Sequence, residues 1–135
     1  MLEAVHHINF LVRDIESARR KFAAVFGVAT GEVVPLSSRG VLTSRLRVGS
    51  TWLVLVQPTD AEGVPARRLA ERGEGVFLIS FGVPDLEVEI DSMQQRGMTF
   101  TSDAARAGLD GWRVIDIDLG GELGVDLQLC QERPR

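Results

Sequence analysis

The feature that most constrains the fold of this chain is an internal repeat. Residues 73–87, GEGVFLISFGVPDLE, match residues 3–16, EAVHHINFLVRDIE, at an offset of 71. Val5, Ile8, Phe10, Val12, Asp14 and Glu16 fall on Val76, Ile79, Phe81, Val83, Asp85 and Glu87. The tails of the two halves match at an offset of 74, with Leu53, Leu55 and Gln57 on Leu127, Leu129 and Gln131. A chain copied in this way folds as two like modules, and that signal outranks local propensity. The copy keeps its packing residues and loses its imidazoles, because His6 and His7 stand opposite Phe77 and Leu78.

Each half reads as the same series of elements. VHHINFLV is a strand, and Asp14 is a good N-cap for a helix with Ile15, Ala18, Phe22, Val25 and Phe26 on one stripe. Gly27 is its expected stop. GEVVPL, VLTSRLRVG and TWLVLVQP follow as strands, with a turn at Gly49 and Ser50. In the second half VFLISFGV is a strand, and Pro84 and Asp85 open a helix carrying Leu86, Ile90 and Met93, stopped by Gly97. MTFTS, WRVIDIDL and VDLQLCQ are read as its three further strands. The expected class is α+β: two tandem βαβββ modules forming a curved mixed sheet around a cavity, with helices on its outer face. Residues 1–135 form a single domain in this reading, with module one at about 4–58, a connector at 59–74 and module two at about 75–131. The connector is expected to hold one or two helical turns after Pro65.

Composition removes several classes of function. A net charge of −4 with scattered arginines offers no basic face for nucleic acid. No apolar run approaches the ~20 residues of a membrane span, and the N-terminal stretch lacks the pattern of a signal peptide. The single Cys130 cannot form an internal disulfide, which fits a cytoplasmic address. Cys130 itself is expected to be buried and inert.

Strand parity then sorts side chains into a helix-facing set and an opposite set. His7, Asn9 and Leu11 belong to the opposite set, with Trp52, Val54 and Val56, with Val76, Leu78 and Ser80, and with Asp126, Gln128 and Cys130. Trp112, Val114, Asp116 and Asp118 join them, whereas His6 falls among the packing residues and reads as structural. A half-polar, half-apolar inner face of this kind is suited to enclosing a small molecule.

HHINFLVRDIESARRKFAAVFG, VGSTWLVLVQP and RLAERGEGVFLISFGVPDLEVEIDSMQQRG resemble the vicinal oxygen chelate superfamily of glyoxalase I, bleomycin-resistance proteins, extradiol dioxygenases and methylmalonyl-CoA epimerase. The last stretch is especially similar to the segment by which the epimerases enter their second module. The resemblance covers nearly the whole chain and implies a homodimer. It also implies a divalent metal held by His, Glu or Gln, His and Glu, one from each of four strands. Carried over, those positions fall on His7, Val54, Leu78 and Gln128, and an epimerase's carboxylate base falls near Ser38. Val54 and Leu78 cannot ligate, and hard divalent ions need several oxygen or nitrogen donors. The expectation is therefore a chain with no metal and no cofactor, with a rearranged site on the inward-facing His7, Asp116 and Asp126 as the alternative.

Three readings of function remain. The first is a binding or sequestration protein for a hydrophobic or acyl-type small molecule, contacting Asn9, Trp52, Val54, Leu78, Ser80, Trp112 and Gln128. The second is a metal-independent isomerase, lyase or cyclase in which Asp116, Asp126 and His7 move protons; a carboxylate in an apolar cavity serves as such a base. The aspartates read equally well as solvated strand ends, and His7 as a relic that hydrogen-bonds within the cavity. The third is a metal-dependent acyl-CoA epimerase or glyoxalase-like enzyme. Arg45 and Arg47 share one strand face and suit an anionic group, although most such pairs are simply solvated.

Overall fold

A computed structural model describes residues 1–132. The elements are β1 (Ala4–Leu11), α1 (Ile15–Phe26), β2 (Val34–Leu36), β3 (Val41–Val48), β4 (Thr51–Pro58), α2 (Val64–Arg72), β5 (Gly75–Gly82), α3 (Leu86–Gln95), β6 (Arg106–Ala107), β7 (Arg113–Asp116) and β8 (Asp126–Gln131). Strand, helix and three strands therefore occur twice, with α2 between them. The class is α+β, and the order is the expected βαβββ. Among the described residues no helix is long and apolar enough to cross a membrane.

Compactness divides the chain differently from the repeat. Ile8–Phe77 form one unit, and Met1–His7 join Leu78 onward in the other. In the first unit the strands run β2-β3-β4-β1, with β2–β3 and β3–β4 antiparallel. Its core is Val12, Ile15 and Leu55, against which Phe10, Ala18, Phe22, Val33 and Leu42 pack. In the second unit the order is β1-β5-β8-β7-β6, with β5–β8 parallel and the pairs β6–β7 and β7–β8 antiparallel. Val83, Leu86, Ile115 and Leu129 form its core, each at most 3% exposed, with Ile90, Met93 and Phe100 packed around them. Burial on that scale contributes roughly 1.5–3 kcal/mol per side chain.

The repeat extends to individual hydrogen bonds. Asp14 and Asp85 take nearly the same extended conformation, and their side chains accept from the backbone of Ser17 and Val88. Val12 donates to the Val56 carbonyl at 2.9 Å, and Val83 donates to the Cys130 carbonyl at 2.9 Å. Gln57 Oε1 accepts from the Ile15 N–H at 2.8 Å, and Gln131 Oε1 accepts from the Leu86 N–H at 2.8 Å. Each glutamine thus ties the end of the last strand of a module to the first turn of its helix. It satisfies one of the donors that a helix start leaves without an intrahelical partner.

Several elements depart from expectation. MTFTS is not a strand; only Phe100 bridges to Ile117, and the strand beside β7 is the two-residue β6. Phe100 is drawn into the core, so apolar burial dominates there over ladder formation. The strand read in GEVVPL shortens to Val34–Leu36, and that in WRVIDIDL to Arg113–Asp116. The connector helix is nine residues long, more than the one or two turns expected, and carries Pro65 near its start, where a missing N–H costs nothing. On α1, Val25 and Phe26 are exposed and not part of the buried stripe. Gly40, at φ +65°, is required by contact as well as conformation, since a Cβ there would lie 2.5 Å from that of Asp60.

The glutamine clasp is testable. Gln131→Ala should destabilise the chain by about 1–2 kcal/mol in urea unfolding, as the loss of a helix-start acceptor does elsewhere. Gln131→Glu should recover most of that loss, because a carboxylate accepts the same bond and suits the helix N-terminus.

Candidate functional site

The second unit gathers most of the chemistry on the sheet face opposite α3. The register β5–β8–β7 aligns Ser80 with Gln128 and Asp116 in one row, and Leu78 with Asp126 in the next. Ser80 and Gln128 are fully buried, Leu78 is 4% exposed, and Asp116 and Asp126 are half-buried. Asp116 is held at both carboxylate oxygens. Gln128 Nε2 donates to Oδ1 at 2.9 Å, and Arg106 Nη1 lies 2.8 Å from Oδ2. Gln128 Oε1 is buried and accepts no hydrogen bond among the described residues. Such an orphan acceptor costs about 1–3 kcal/mol unless something supplies a donor.

A second cluster lies on the same unit. His6 and His7 are both buried, and their Nδ1 atoms are 2.8 Å apart. His6 Nε2 sits 2.6 Å from Glu132 Oε1. Trp112, 4% exposed, stacks on the His7 ring at 4.9 Å and meets the His6 ring edge-on at 4.4 Å. It caps a short 3₁₀ turn ahead of β7 and stands outside the strand expected over WRVIDIDL. A carboxylate only accepts, so His6 donates from Nε2 and its Nδ1 accepts from the Nδ1–H of His7.

His6 is therefore part of the buried chemistry and not a packing residue behind it. Parity sets where Cβ points but not how far an imidazole reaches. Gly82, beside it, has no side chain to fill that space; a Cβ there would lie 3.7 Å from the His6 Cβ.

Cys130 is buried, as expected. Burial pushes its thiol up to about 12, the Glu132 carboxylate adds to the rise, and the Ser80 hydroxyl beside it acts the other way.

The first unit holds Asn9, Trp52 and Val54. The β3–β4 register puts Arg45 opposite Val54 and Arg47 opposite Trp52, on one face. The Arg45 and Arg47 guanidinium carbons lie 4.1 and 5.0 Å from the Trp52 ring centroid. Val54 is 1% exposed, and the side-chain oxygen of Asn9 is buried with no hydrogen bond among the described residues. Ser38 lies in a short 3₁₀ turn between β2 and β3. Val54 and Leu78 are closely packed hydrocarbon and present no donor atom, so the positions carried over from the resemblance do not fit a four-ligand metal site. The Gln57 Oε1 in β4 is committed to the Ile15 N–H.

Arg106 and Glu132 were not singled out from sequence. Arg106 reaches Asp116 from a two-residue strand that gives no periodic signal, and Glu132 lies one residue past β8.

A family model described as the glyoxalase/bleomycin resistance protein/dioxygenase superfamily matches residues 6–115. Mitochondrial methylmalonyl-CoA epimerase of Bos taurus is 28% identical over 131 residues, covering 94% of this chain and 74% of that one. The Homo sapiens enzyme is 25% identical over the same shares. Among solved structures, Streptomyces coelicolor methylmalonyl-CoA epimerase in complex with 2-nitronate-propionyl-CoA superposes with a TM-score of 0.91 at 24% identity, over 99% of this chain and 100% of that one. The Mycobacterium tuberculosis epimerase gives 0.91 at 22% identity, over 98% and 90%. At such identities the structures show a shared fold.

The thiol carries a prediction of its own. Below pH 9 Cys130 is protonated whether the chain is folded or not, and its contribution to stability is complete. Between pH 9 and about 12 only the unfolded chain releases the proton, so stability falls with rising pH. The slope is at most about 1.4 kcal/mol per pH unit. Urea unfolding from pH 8 to 10.5 should show this decline in the unaltered protein and a shallower one in Cys130→Ala.

Proposed function

The chain belongs to the glyoxalase/bleomycin resistance protein/dioxygenase superfamily, and on that premise we propose that it binds a small acyl thioester of the acyl-CoA type without a four-ligand metal centre. The observation that carries this reading is packed hydrocarbon at Val54 and Leu78, together with buried oxygens of Asn9 and Gln128 that accept no hydrogen bond among the described residues. The Gln128 carbonyl oxygen awaits a donor. Asp116 is held by Arg106 and by the Gln128 amide. Trp52 with Arg45 and Arg47 offers a flat, cationic surface suited to a planar or phosphorylated group. In the second unit Ser80 stands beside Gln128, and Trp112 covers the His7 ring. The reading includes a homodimer and a cytoplasmic location, as the resemblance and the unpaired Cys130 suggest.

A second reading is an acyl-CoA epimerase or related isomerase, favoured by similarity to the epimerases over 94% of the chain. One solved epimerase of this fold is in complex with methylmalonyl-CoA and NH4+. In this reading His7 and Asp126 move the proton beside the thioester, with Asp116 as the alternative base.

Calorimetric titration with methylmalonyl-CoA, propionyl-CoA and free CoA, paired with proton NMR in deuterated buffer, separates the two. Binding of the thioesters with no deuterium entering the carbon beside the carbonyl supports the first reading. Exchange that is lost in Asp126→Asn or Asp116→Asn, while binding persists, supports the second. Absence of binding to any of the three removes the acyl-CoA class.

A further inference from the structure

We propose that His6, His7 and Cys130 form a buried binding site for a thiophilic transition cation, copper(I) above all, that shares only His7 with the four strand positions of the family. One ligand atom from each, the two imidazole nitrogens and the thiol sulfur, lies within 4.8 Å of the others. All three residues are buried, at 7%, 4% and 1% exposure. Two neutral imidazoles with one thiolate are the donors that such ions select.

The surroundings fit this use. Metal-bound histidines characteristically donate their other ring N–H to a carboxylate, which fixes the tautomer and raises ligand basicity. Glu132 takes that position on His6, leaving its Nδ1 lone pair aimed into the cluster. Trp112 covers both rings and limits their movement. An ion bonded to nitrogen at about 2.0 Å and sulfur at about 2.3 Å keeps such atoms less than about 4.3 Å apart, so binding asks for sub-ångström to ångström closure of the thiol.

Charge and coordination number favour copper(I). A monovalent ion with one thiolate is neutral, which suits a site with no exposed ligand, and it accepts three donors. Zinc prefers four, and its double charge would leave a buried excess.

The proton balance is simple. The Cys130 sulfur loses its proton to solvent as the metal–sulfur bond forms. The Nδ1 proton that His7 shares with His6 moves to the other nitrogen of the His7 ring, freeing both Nδ1 lone pairs. Net release is one proton per ion, with no change of oxidation state.

The test needs no thioester, so it stands apart from the proposed function. In Trp52→Phe protein, Trp112 is the one remaining tryptophan and reports on the cluster. Anaerobic titration with copper(I) buffered by bicinchoninate should quench its fluorescence with a stoichiometry of one. Glu132→Gln should weaken binding ~10–100-fold, the effect of removing an outer-shell partner, and Cys130→Ser should weaken it more. X-ray absorption on the unaltered, copper-loaded protein should show one sulfur and two nitrogen scatterers, a result that does not depend on any variant folding. A shell without sulfur overturns the proposal, as do unchanged affinity in folded Cys130→Ser, failure to bind copper(I), and displacement of copper(I) by equimolar zinc.

Discussion

The bond from each module's last strand to the start of its helix is the constraint on which the rest depends. Gln57 holds Ile15 and Gln131 holds Leu86, both at 2.8 Å. Two residues before each glutamine, Leu55 and Leu129 pack under the same helices. That pairing fixes the register of β4 and β8 against α1 and α3. Once it is fixed, alternation decides every other side chain: Val54 and Val56, Gln128 and Cys130 must face away from the helices. A slip of one residue would bury Gln128 beneath α3 and turn Leu129 outward. A glutamine at both positions thus holds the register, and its Oε1 is committed to the helix start.

On the face so defined, charge is handled by pairing. Asp116 is met by Arg106 and by the Gln128 amide, and the neutral His6 ring is held by its hydrogen bond to Glu132. Burying an unpaired charge is far costlier than burying a paired one, and breaking one partner costs more than the pair contributes. Asp116 and His6 therefore hold fixed positions and fixed hydrogen-bonding directions. On this face the Gln128 carbonyl oxygen is buried with no hydrogen bond among the described residues.

Much of this was legible in the sequence, for reasons that the structure makes plain. The repeat reported the βαβββ order because packing residues at matched offsets are under the same steric demand in both copies. Asp14 and Asp85 marked helix starts because capping is a local interaction. The β3–β4 hairpin and the facing of Arg45, Arg47 and Trp52 followed from period-two alternation across a Gly-Ser turn. The element after α3 was not legible. MTFTS alternates as a strand does, yet Phe100 sinks into the core and the pairing strand moves to Arg106–Ala107, too short to leave a pattern. The Arg106–Asp116 pair was hidden with it, as was the His6–Glu132 contact, which joins residues 126 positions apart.

The distribution of chemistry between the copies has a further consequence. His7 corresponds to Leu78, Gln128 to Val54 and Cys130 to Val56, so each repeat-related pair has one member with donor atoms and one of plain hydrocarbon. All three members with donors belong to the same compact unit, Met1–His7 with Leu78 onward. A site that drew equally on both copies would need donors at matched positions, and none of these pairs supplies them. At these three pairs the donor-bearing side chains lie in one unit, and Val54 and Val56 are packing in the other. The N-terminal half of β1 makes this possible. By leaving its own module and joining β5, it carries the chain's only two histidines into the unit that holds its only cysteine.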